Sequence, residues 1–134
     1  MQNDTISDML TRIRNANTLH KTNVDIPWTR VNEQILELFV QEGFIEAVEK
    51  QEKPLDSSPV LTVTLKYEKS TNKACITNLQ RMSKPGLRLY SKAKDIPQVL
   101  GGMGVIILST SKGILTSREA KQKKVGGEFI CSIW

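Results

Sequence analysis

The run from Val105 to Leu108 is wholly apolar and rich in β-branched residues, and the polar sequence Ser-Thr-Ser-Lys-Gly follows it at once. Such a run predicts a buried β-strand, so the polar residues after it leave the sheet at a defined point. Hydroxyl side chains both donate and accept hydrogen bonds, lysine adds a mobile positive charge, and glycine lets another backbone approach closely. This combination suits the shallow minor groove of an RNA helix, with its 2′-hydroxyls and base edges. An ordinary solvated turn, which uses the same residue types, is the alternative.

Positive charge is concentrated in the second half of the chain. Residues 1–67 carry seven Lys and Arg and ten Asp and Glu, a net charge of −3, whereas residues 68–134 carry twelve and four, a net charge of +8. A basic half of this kind is the electrostatic footprint of a protein that binds a polyanion. A solvated basic surface without a ligand is the alternative. An anionic membrane is a poorer match, because no basic segment also carries a strong apolar face.

The sequence also predicts which cellular context the protein occupies. No apolar run approaches the roughly 20 residues of a membrane-spanning helix. The N-terminus resembles neither a signal peptide nor an Arg- and Ser-rich transit peptide, so we expect the protein to work where it is made. Cys75 and Cys131 are too few for a disulfide framework and lack metal-ligand spacing, which predicts free thiols in a reducing compartment.

The first half, residues 1–67, predicts an α-β-α-β-β unit. Apolar residues at helical spacing indicate a helix from Thr5 to Leu19, followed by a short extended segment. A second helix begins near Thr29 and ends at Gly43, which suits the left-handed position after a helix. Its predicted buried residues are Val31, Ile35, Leu38 and Phe39. The unit closes with strands at Phe44–Glu49 and Val60–Tyr67, separated by an exposed loop at Lys53–Pro59.

The second half, residues 68–134, predicts a mainly β unit with one short helix, joined through a polar linker at Glu68–Lys73. The sequence Thr116-Ser117-Arg118-Glu119 is a capping box that opens the helix, which is brief and ends by Gly126-Gly127. A Pro-Gly pair predicts a turn at Ser83–Gly86. The predicted strands are Ala74–Leu79, Leu87–Tyr90, Val105–Ser109 and Glu128–Trp134. The overall class is therefore α/β (α+β) with two small subdomains.

Residues for catalysis are not apparent. His20 follows the first helix without a Ser, Cys or Asp constellation to serve. The glycines of Gly101–Gly104 precede a strand, whereas a dinucleotide fingerprint follows one and opens a helix. An enzyme that used the hydroxyls of Ser109–Ser111 as nucleophile would need a general base that the sequence does not provide. We therefore expect no enzymatic activity, no cofactor, no metal and no small-molecule substrate.

Basic residues and a tyrosine alternate in the middle of the basic half. Arginine binds phosphate in bidentate fashion, and tyrosine stacks on an unpaired base. A tyrosine that covers a small core among solvated cations is the alternative. The residues concerned are Arg81, Lys84, Arg88, Tyr90, Lys92 and Lys94. A second cluster, in which a solvated helix face is the alternative, consists of Arg118, Lys121, Lys123 and Lys124.

Four motifs, in order along the chain, resemble the family of the eighth small-subunit ribosomal protein. They are DTISDMLTRIRNAN, QEGFI, SKPGLRLY and GGMGVIILSTSKGILTSREAKQKKVGGEFICSIW. The resemblance spans nearly the whole chain and is weakest from Val48 to Asn78. Trp28 departs from the family, where a smaller residue or tyrosine is more common. The Lys-rich ending is closer to plastid members than to many bacterial ones, so the resemblance implies a ribosome in the plastid stroma or the bacterial cytoplasm, with the plastid favoured.

The resemblance implies a structural constituent that binds the central domain of small-subunit rRNA and helps organise its assembly. In the family, the Ser-Thr-Ser turn enters the minor groove of a distorted rRNA helix. Carried over to this chain, the RNA-binding residues are Ser109, Thr110, Ser111, Lys112, Tyr90, Gly127 and Glu128. The match to the family motif is weaker for Arg14 and Asn15. The basic residues Lys84 and Arg88 complete the predicted RNA-binding set. The implied protein neighbours are the fifth and twelfth small-subunit proteins. A translational regulator that binds an mRNA hairpin similar to the rRNA site is the alternative function.

Overall fold

The computed structural model of the chain describes residues 4–52 and 58–134. It contains two compact units, one from Thr5 to Thr77 and one from Asn78 to Trp134 that also includes Asp4. The predicted class is confirmed, because an α-β-α-β-β arrangement is followed by a mainly β region with a short helix. The sequence-based division after residue 67 lies ten residues earlier than the boundary between these units. Tyr67 bridges to Ala74 and the Glu68 N–H donates to the Lys73 carbonyl, so residues 68–73 form a turn within the first unit.

The two helices of the first unit each bury one face. The first, α1, covers Thr5–Thr18 and buries Met9, Leu10, Ile13 and Ala16, as its spacing predicts. The second, α2, covers Arg30–Gln41, and the side chain of Thr29 caps it by accepting the Asn32 N–H. Its buried residues are Asn32, Ile35, Leu36 and Phe39. The predicted burial of Val31 is wrong: this side chain is 37% exposed, because the buried stripe is rotated toward Asn32 and Leu36.

Three antiparallel strands complete the first unit in the order β1-β3-β2, with β1 at Asn23–Pro27, β2 at Ile45–Gln51 and β3 at Val60–Leu65. The alternation along β3 is confirmed, since Leu61, Val63 and Leu65 are buried and their neighbours are half-buried. The loop predicted at Lys53–Pro59 lies mostly outside the described residues.

The second unit is built on a sheet of five antiparallel strands. The central strand β8 pairs with β6, which in turn pairs with β7, and the other side of β8 pairs with β4 and then with β5. The bounds are Leu79–Arg81 for β4, Tyr90–Ser91 for β5, Val105–Thr110 for β6, Gly113–Thr116 for β7 and Gly127–Ile133 for β8. A short helix, α3, covers Ser117–Gln122 between β7 and β8, and 3-10 turns lie at Ala93–Asp95 and Leu100–Gly102.

The strands of the second half differ from the prediction at three places. Of the strand predicted at Ala74–Leu79, only Leu79 belongs to a strand of the sheet, because Ala74 makes a single bridge to Tyr67 within the first unit and Asn78 exchanges backbone hydrogen bonds with Trp134 after the end of β8. The strand β7 was not predicted, because its four residues follow a tight turn and are too few to show periodicity. The predicted strand at Leu87–Tyr90 is reduced to Tyr90–Ser91.

A buried apolar cluster holds α3 against the sheet. It contains Ile96, Ile106, Leu108, Ala120 and Phe129. The predicted capping box is confirmed, since the Thr116 side chain accepts the Glu119 N–H at 3.2 Å while the Glu119 carboxylate accepts the Thr116 N–H at 3.2 Å. The helix therefore begins at a fixed point directly after β7. In the described part of the chain, no helix has the length and apolar character needed to cross a membrane.

Cys131 lies in the middle of β8 and is fully buried, and desolvation raises the pKa of its thiol to about 12. Because the thiolate is the reactive form, we expect Cys131 to resist alkylation at pH 8 until the protein unfolds. Cys75 is half-buried and free, so the Cys75→Ser variant isolates the signal. Mass spectrometry after iodoacetamide treatment, with and without denaturant, measures the difference. Rapid labelling of the folded Cys75→Ser variant would contradict the expected burial.

Candidate nucleic-acid interface

The hairpin between β6 and β7 presents the hydroxyl-rich sequence. Thr110 pairs with Gly113 across the hairpin, so Ser111 and Lys112 form a two-residue turn. The Thr110 hydroxyl donates to the Gly113 carbonyl at 2.8 Å and accepts the Lys112 N–H at 3.1 Å. Gly113 has a φ of 104°, which side chains rarely tolerate. The turn is thus held by Thr110, whereas Ser109, Ser111 and Lys112 are exposed.

Three predicted residues come together in one row across the sheet. Glu128 on β8 lies opposite Ser109 on β6 and, on its other side, opposite Tyr90 on β5. Residues directly opposite in a sheet project to the same face, and strand spacing places the Tyr90 and Ser109 backbones about 10 Å apart. Tyr90 is 69% exposed and Ser109 is also exposed. We call Tyr90, Glu128 and Ser109 the polar row; it combines an aromatic ring, a carboxylate and a hydroxyl.

The double glycine lets three strands approach closely beside the polar row. A Cβ atom added to Gly127 would lie 2.1 Å from the Ser109 carbonyl oxygen, and one added to Gly126 would lie 2.1 Å from the Ser91 carbonyl oxygen. Neither distance is compatible with a side chain. Gly127 also lies opposite both Thr110 and Ser91 in the sheet. These two glycines therefore have a steric role, which brings β5 and β6 to the two sides of β8.

Glu128 has a partner within the protein. Its carboxylate accepts a hydrogen bond from the Arg88 guanidinium at 2.9 Å. The hydrogen bond and the charge of Glu128 raise the pKa of Arg88. The Glu128 side chain is 19% exposed and that of Arg88 is 45% exposed. The carboxylate thus holds a cation that remains open to solvent beside Tyr90, a positioning role that the sequence did not reveal.

Lys84 lies on the predicted Pro-Gly turn. Lys84 and Leu87 exchange backbone hydrogen bonds of 2.9 Å in both directions, which closes a two-residue hairpin over Pro85 and Gly86. The turn is anchored by Ser83, which is fully buried and whose hydroxyl accepts the Leu89 N–H at 2.9 Å. Ser83 carries no sequence signal, because a serine before a Pro-Gly turn is common in solvated loops. Lys84 itself is exposed.

Arg14 and Asn15 belong to the other unit. Both lie on the exposed face of α1, and the Arg14 carbonyl accepts the Thr18 hydroxyl at 3.0 Å. The structure therefore joins Ser109, Tyr90, Glu128 and Arg88 in one surface, and places Arg14 and Asn15 on a separate unit.

The unit that carries the polar row is also the basic one. Residues 78–134 with Asp4 contain ten Lys and Arg and four Asp and Glu, a net charge of +6, whereas residues 5–77 contain nine and ten, a net charge of −1. A basic surface with an exposed tyrosine and exposed hydroxyls has the features of an RNA-binding site.

Comparison with known proteins places the chain in one family. The sequence model of the family described as ribosomal protein S8 matches residues 4–134. The chain is 51% identical over 141 residues to the small ribosomal subunit protein uS8c of Chlorella vulgaris, with both chains covered completely. It is 56% identical over 131 residues to uS8c of Tupiella akineta and 52% identical over 132 residues to uS8 of Microcystis aeruginosa, with 98% of this chain covered in each case. A full-length match of this kind shows that the chain belongs to the ribosomal protein S8 family.

Proposed function

We propose that the protein is a structural component of the small ribosomal subunit that binds the central domain of small-subunit rRNA directly and helps organise its assembly. The observation that carries this proposal is the polar row, which lies on the basic unit beside the turn formed by Ser111 and Lys112. The family consists of ribosomal structural proteins and is not one of enzymes. The relatives are named as small ribosomal subunit proteins, which supports a place in the ribosome.

The proposed contacts divide into shape-reading and charge-neutralising groups. Ser109 and Ser111 offer hydroxyls that bond to 2′-hydroxyls and base edges of the RNA minor groove. Tyr90 offers a ring face for an unpaired base, with the Arg88–Glu128 pair beside it. Lys84 and Lys112 bind phosphates without regard to sequence. Gly127 acts by close packing of strands, and Arg14 and Asn15 are proposed as additional contacts on the first unit.

The family supports a proposal for the localisation and the protein partners. We propose a ribosome in a plastid or a bacterial cell, with the plastid favoured by the uS8c names of several relatives. We also propose the fifth and twelfth small-subunit proteins as neighbours, supported by the motif resemblance. Crosslinking mass spectrometry of assembled subunits tests these neighbours.

Crosslinking of the protein to RNA in cells, followed by sequencing, tests the central proposal. A dominant peak in the central domain of small-subunit rRNA is the expected result. A dominant peak in an mRNA hairpin would instead favour the regulatory alternative, because one RNA-binding surface can serve two similar helices.

The second half of the chain should carry most of the RNA affinity. We expect a fragment of residues 68–134 to bind the central-domain transcript within about tenfold of the intact protein, which is roughly 1.4 kcal/mol. The fragment lacks Asp4, whose carboxylate lies 3.2 Å from the Arg81 guanidinium, but keeps the hydrogen bond from Arg81 to the Ile130 carbonyl. Circular dichroism establishes that the fragment is folded, and filter binding measures the affinity. A folded fragment without measurable affinity would show that the first unit is essential for RNA binding.

A further inference from the structure

A groove lined by lysines lies on the second unit and shares no residue with the polar row. It has a volume of about 640 Å³ and is lined by Lys92, Ala93, Lys94, Lys121 and Lys124. One wall is the first 3-10 turn with its preceding residue, and the other is the end of α3 with the residues after it. The helix packs against this turn, and Ala120 of the helix and Ile96, the residue after the turn, belong to the same buried cluster. The two walls are therefore held at a fixed distance.

The groove has a concentrated positive charge without internal compensation. Among residues 4–52 and 58–134, none of its four lysines forms an ion pair. Two carboxylates lie on the same elements, but the Glu119 carboxylate is held in the capping box at the start of α3 and Asp95 does not line the groove. Four unpaired ammonium groups around one groove repel one another, so an anion in the groove would be bound favourably.

The backbone at Lys124 is unusual for a lysine. Lys124 has a φ of 56° and is the left-handed residue that ends α3, with the Lys124 N–H donating to the Lys121 carbonyl and the Val125 N–H donating to the Ala120 carbonyl. The helix α2 ends with the same pair of hydrogen bonds, but there the left-handed residue is Gly43. Glycine is favoured at this position because a Cβ atom is strained there. The helix α1 ends with the same hydrogen bonds at His20, so the left-handed backbone fixes where the Lys124 side chain begins and does not by itself assign it a role.

The helix dipole does not account for this arrangement. A lysine at a helix C-terminus is stabilised by the dipole, which applies to Lys121 and Lys124. Lys92 and Lys94 lie on a different segment, 27 or more positions earlier in the sequence than Lys121. The dipole of α3 therefore does not explain why lysines from both walls line the same groove.

We infer that this lysine groove binds the phosphodiester backbone of RNA, as a second contact region beside the polar row. The inference rests on the proposed RNA binding and extends it. Lys92 follows Tyr90 by two residues. Gly126, two residues after Lys124, lies against Ser91, so the wall that contains Lys124 is held close to β5. We therefore expect an RNA strand with one base stacked on Tyr90 to continue along the groove. Lysine is a point charge without a bidentate geometry, so the groove binds phosphates without reading the sequence.

The test compares two double variants of the full-length protein. Lys92→Gln/Lys121→Gln removes one cation from each wall, and Lys69→Gln/Lys73→Gln removes two exposed cations from the turn at residues 68–73. The RNA is a transcript of the central domain of small-subunit rRNA, titrated over a range of KCl concentrations. We expect the groove variant to lower the slope of log affinity against log salt by about two and to weaken binding by about tenfold or more. The control variant should change affinity less than twofold.

The single variant Lys124→Gly separates binding from stability. It removes a cation and supplies the residue that the left-handed backbone prefers, so thermal unfolding should occur at an equal or higher temperature. RNA affinity should nevertheless fall by a few fold. Wild-type RNA affinity in this variant, at an equal or higher unfolding temperature, would overturn the assignment of Lys124 to RNA binding.

Other outcomes distinguish this inference from the proposed function. If the Ser109→Ala/Ser111→Ala variant weakens binding and the groove variant binds like the wild type, the groove inference alone is overturned. If the groove and control variants lose affinity equally, net charge explains the effect and the inference also fails. If the wild-type protein binds the transcript no better than an unrelated RNA helix of equal length, the proposed function itself fails. Unchanged RNA affinity with reduced incorporation into small subunits would assign the groove to an acidic protein partner instead.

Discussion

Replacing Gly127 by alanine is expected to lower the free energy of unfolding by about 3 kcal/mol, at the upper end of what overpacking usually costs. The new Cβ atom would lie 2.1 Å from the Ser109 carbonyl oxygen and 2.9 Å from the Ser109 carbonyl carbon, so β6 and β8 must move apart. These strands form the centre of the sheet, so backbone hydrogen bonds between them are lost as well. Thermal or chemical unfolding measures the effect, which corresponds to a decrease in Tm of about 10 °C.

The matched control is Gly86→Ala in the turn after Lys84. A Cβ atom at Gly86 would have no heavy atom within 4 Å, and its φ does not lie in the left-handed region. Alanine restricts the unfolded chain, so this variant should be neutral or more stable by about 0.5 kcal/mol. An equally small effect at both glycines would show that β6 and β8 do not approach as closely as described.

The double variant Ser109→Ala/Ser111→Ala should lose about tenfold to a hundredfold in affinity for the central-domain transcript. A net hydrogen bond contributes about 1 kcal/mol, and an RNA group left unpaired in the interface adds to the loss. Within the described part of the chain, the hydroxyls of Ser109 and Ser111 form no hydrogen bond. The turn is held by the Thr110 hydroxyl instead. The fold should therefore be unaffected. Gel-shift titration with the transcript and with unrelated RNA measures specific and nonspecific affinity.

The same titrations with Lys112→Ala provide the contrast. A lysine that binds phosphate contributes to specific and nonspecific binding alike, so both affinities should fall together. The serine variant should weaken only specific binding. Equal loss on both RNAs for the serine variant, or none on either, would reduce Ser109 and Ser111 to turn residues.

Elements with a strong local signal were predicted well. The helix α1 was predicted from a stripe of five apolar residues, of which the structure buries four and leaves Ile6 half-buried, and the helix α3 was predicted from its capping box. Gly43 was assigned to the left-handed position after α2 and has a φ of 83°. These signals are local, because helix periodicity and caps depend on residues within about one turn of each other.

Elements that depend on distant partners were predicted less well. The segment at Gly113–Thr116 forms the strand β7 because β6 pairs with it across a two-residue turn, whereas residues 74–77 pair with no strand of the second unit. Val31 was misplaced because helical spacing permits two overlapping stripes on α2, and packing against the sheet selected the one with Asn32 and Leu36.

For the site, the residue types were visible in the sequence but their partners were not. The hydroxyl-rich segment Ser109–Ser111, the double glycine Gly126-Gly127 and the basic second half were recognised from residue order and charge. Nothing local indicated that Glu128 pairs with Arg88, which is 40 residues away in the sequence, or that Ser83 anchors the turn beside it.

The sequence by itself determined the class of the fold, the family and the sign of the charge on each half, because these depend on composition, motif order and local periodicity. Only the tertiary structure decided which side chains share a surface. Tyr90, Glu128 and Ser109 form one row because β8 pairs with β5 on one side and with β6 on the other. The lysine groove exists because a buried cluster holds α3 against the turn at Ala93–Asp95. Strand pairing and helix docking are selected by the burial of the whole core, and no short stretch of sequence encodes that choice.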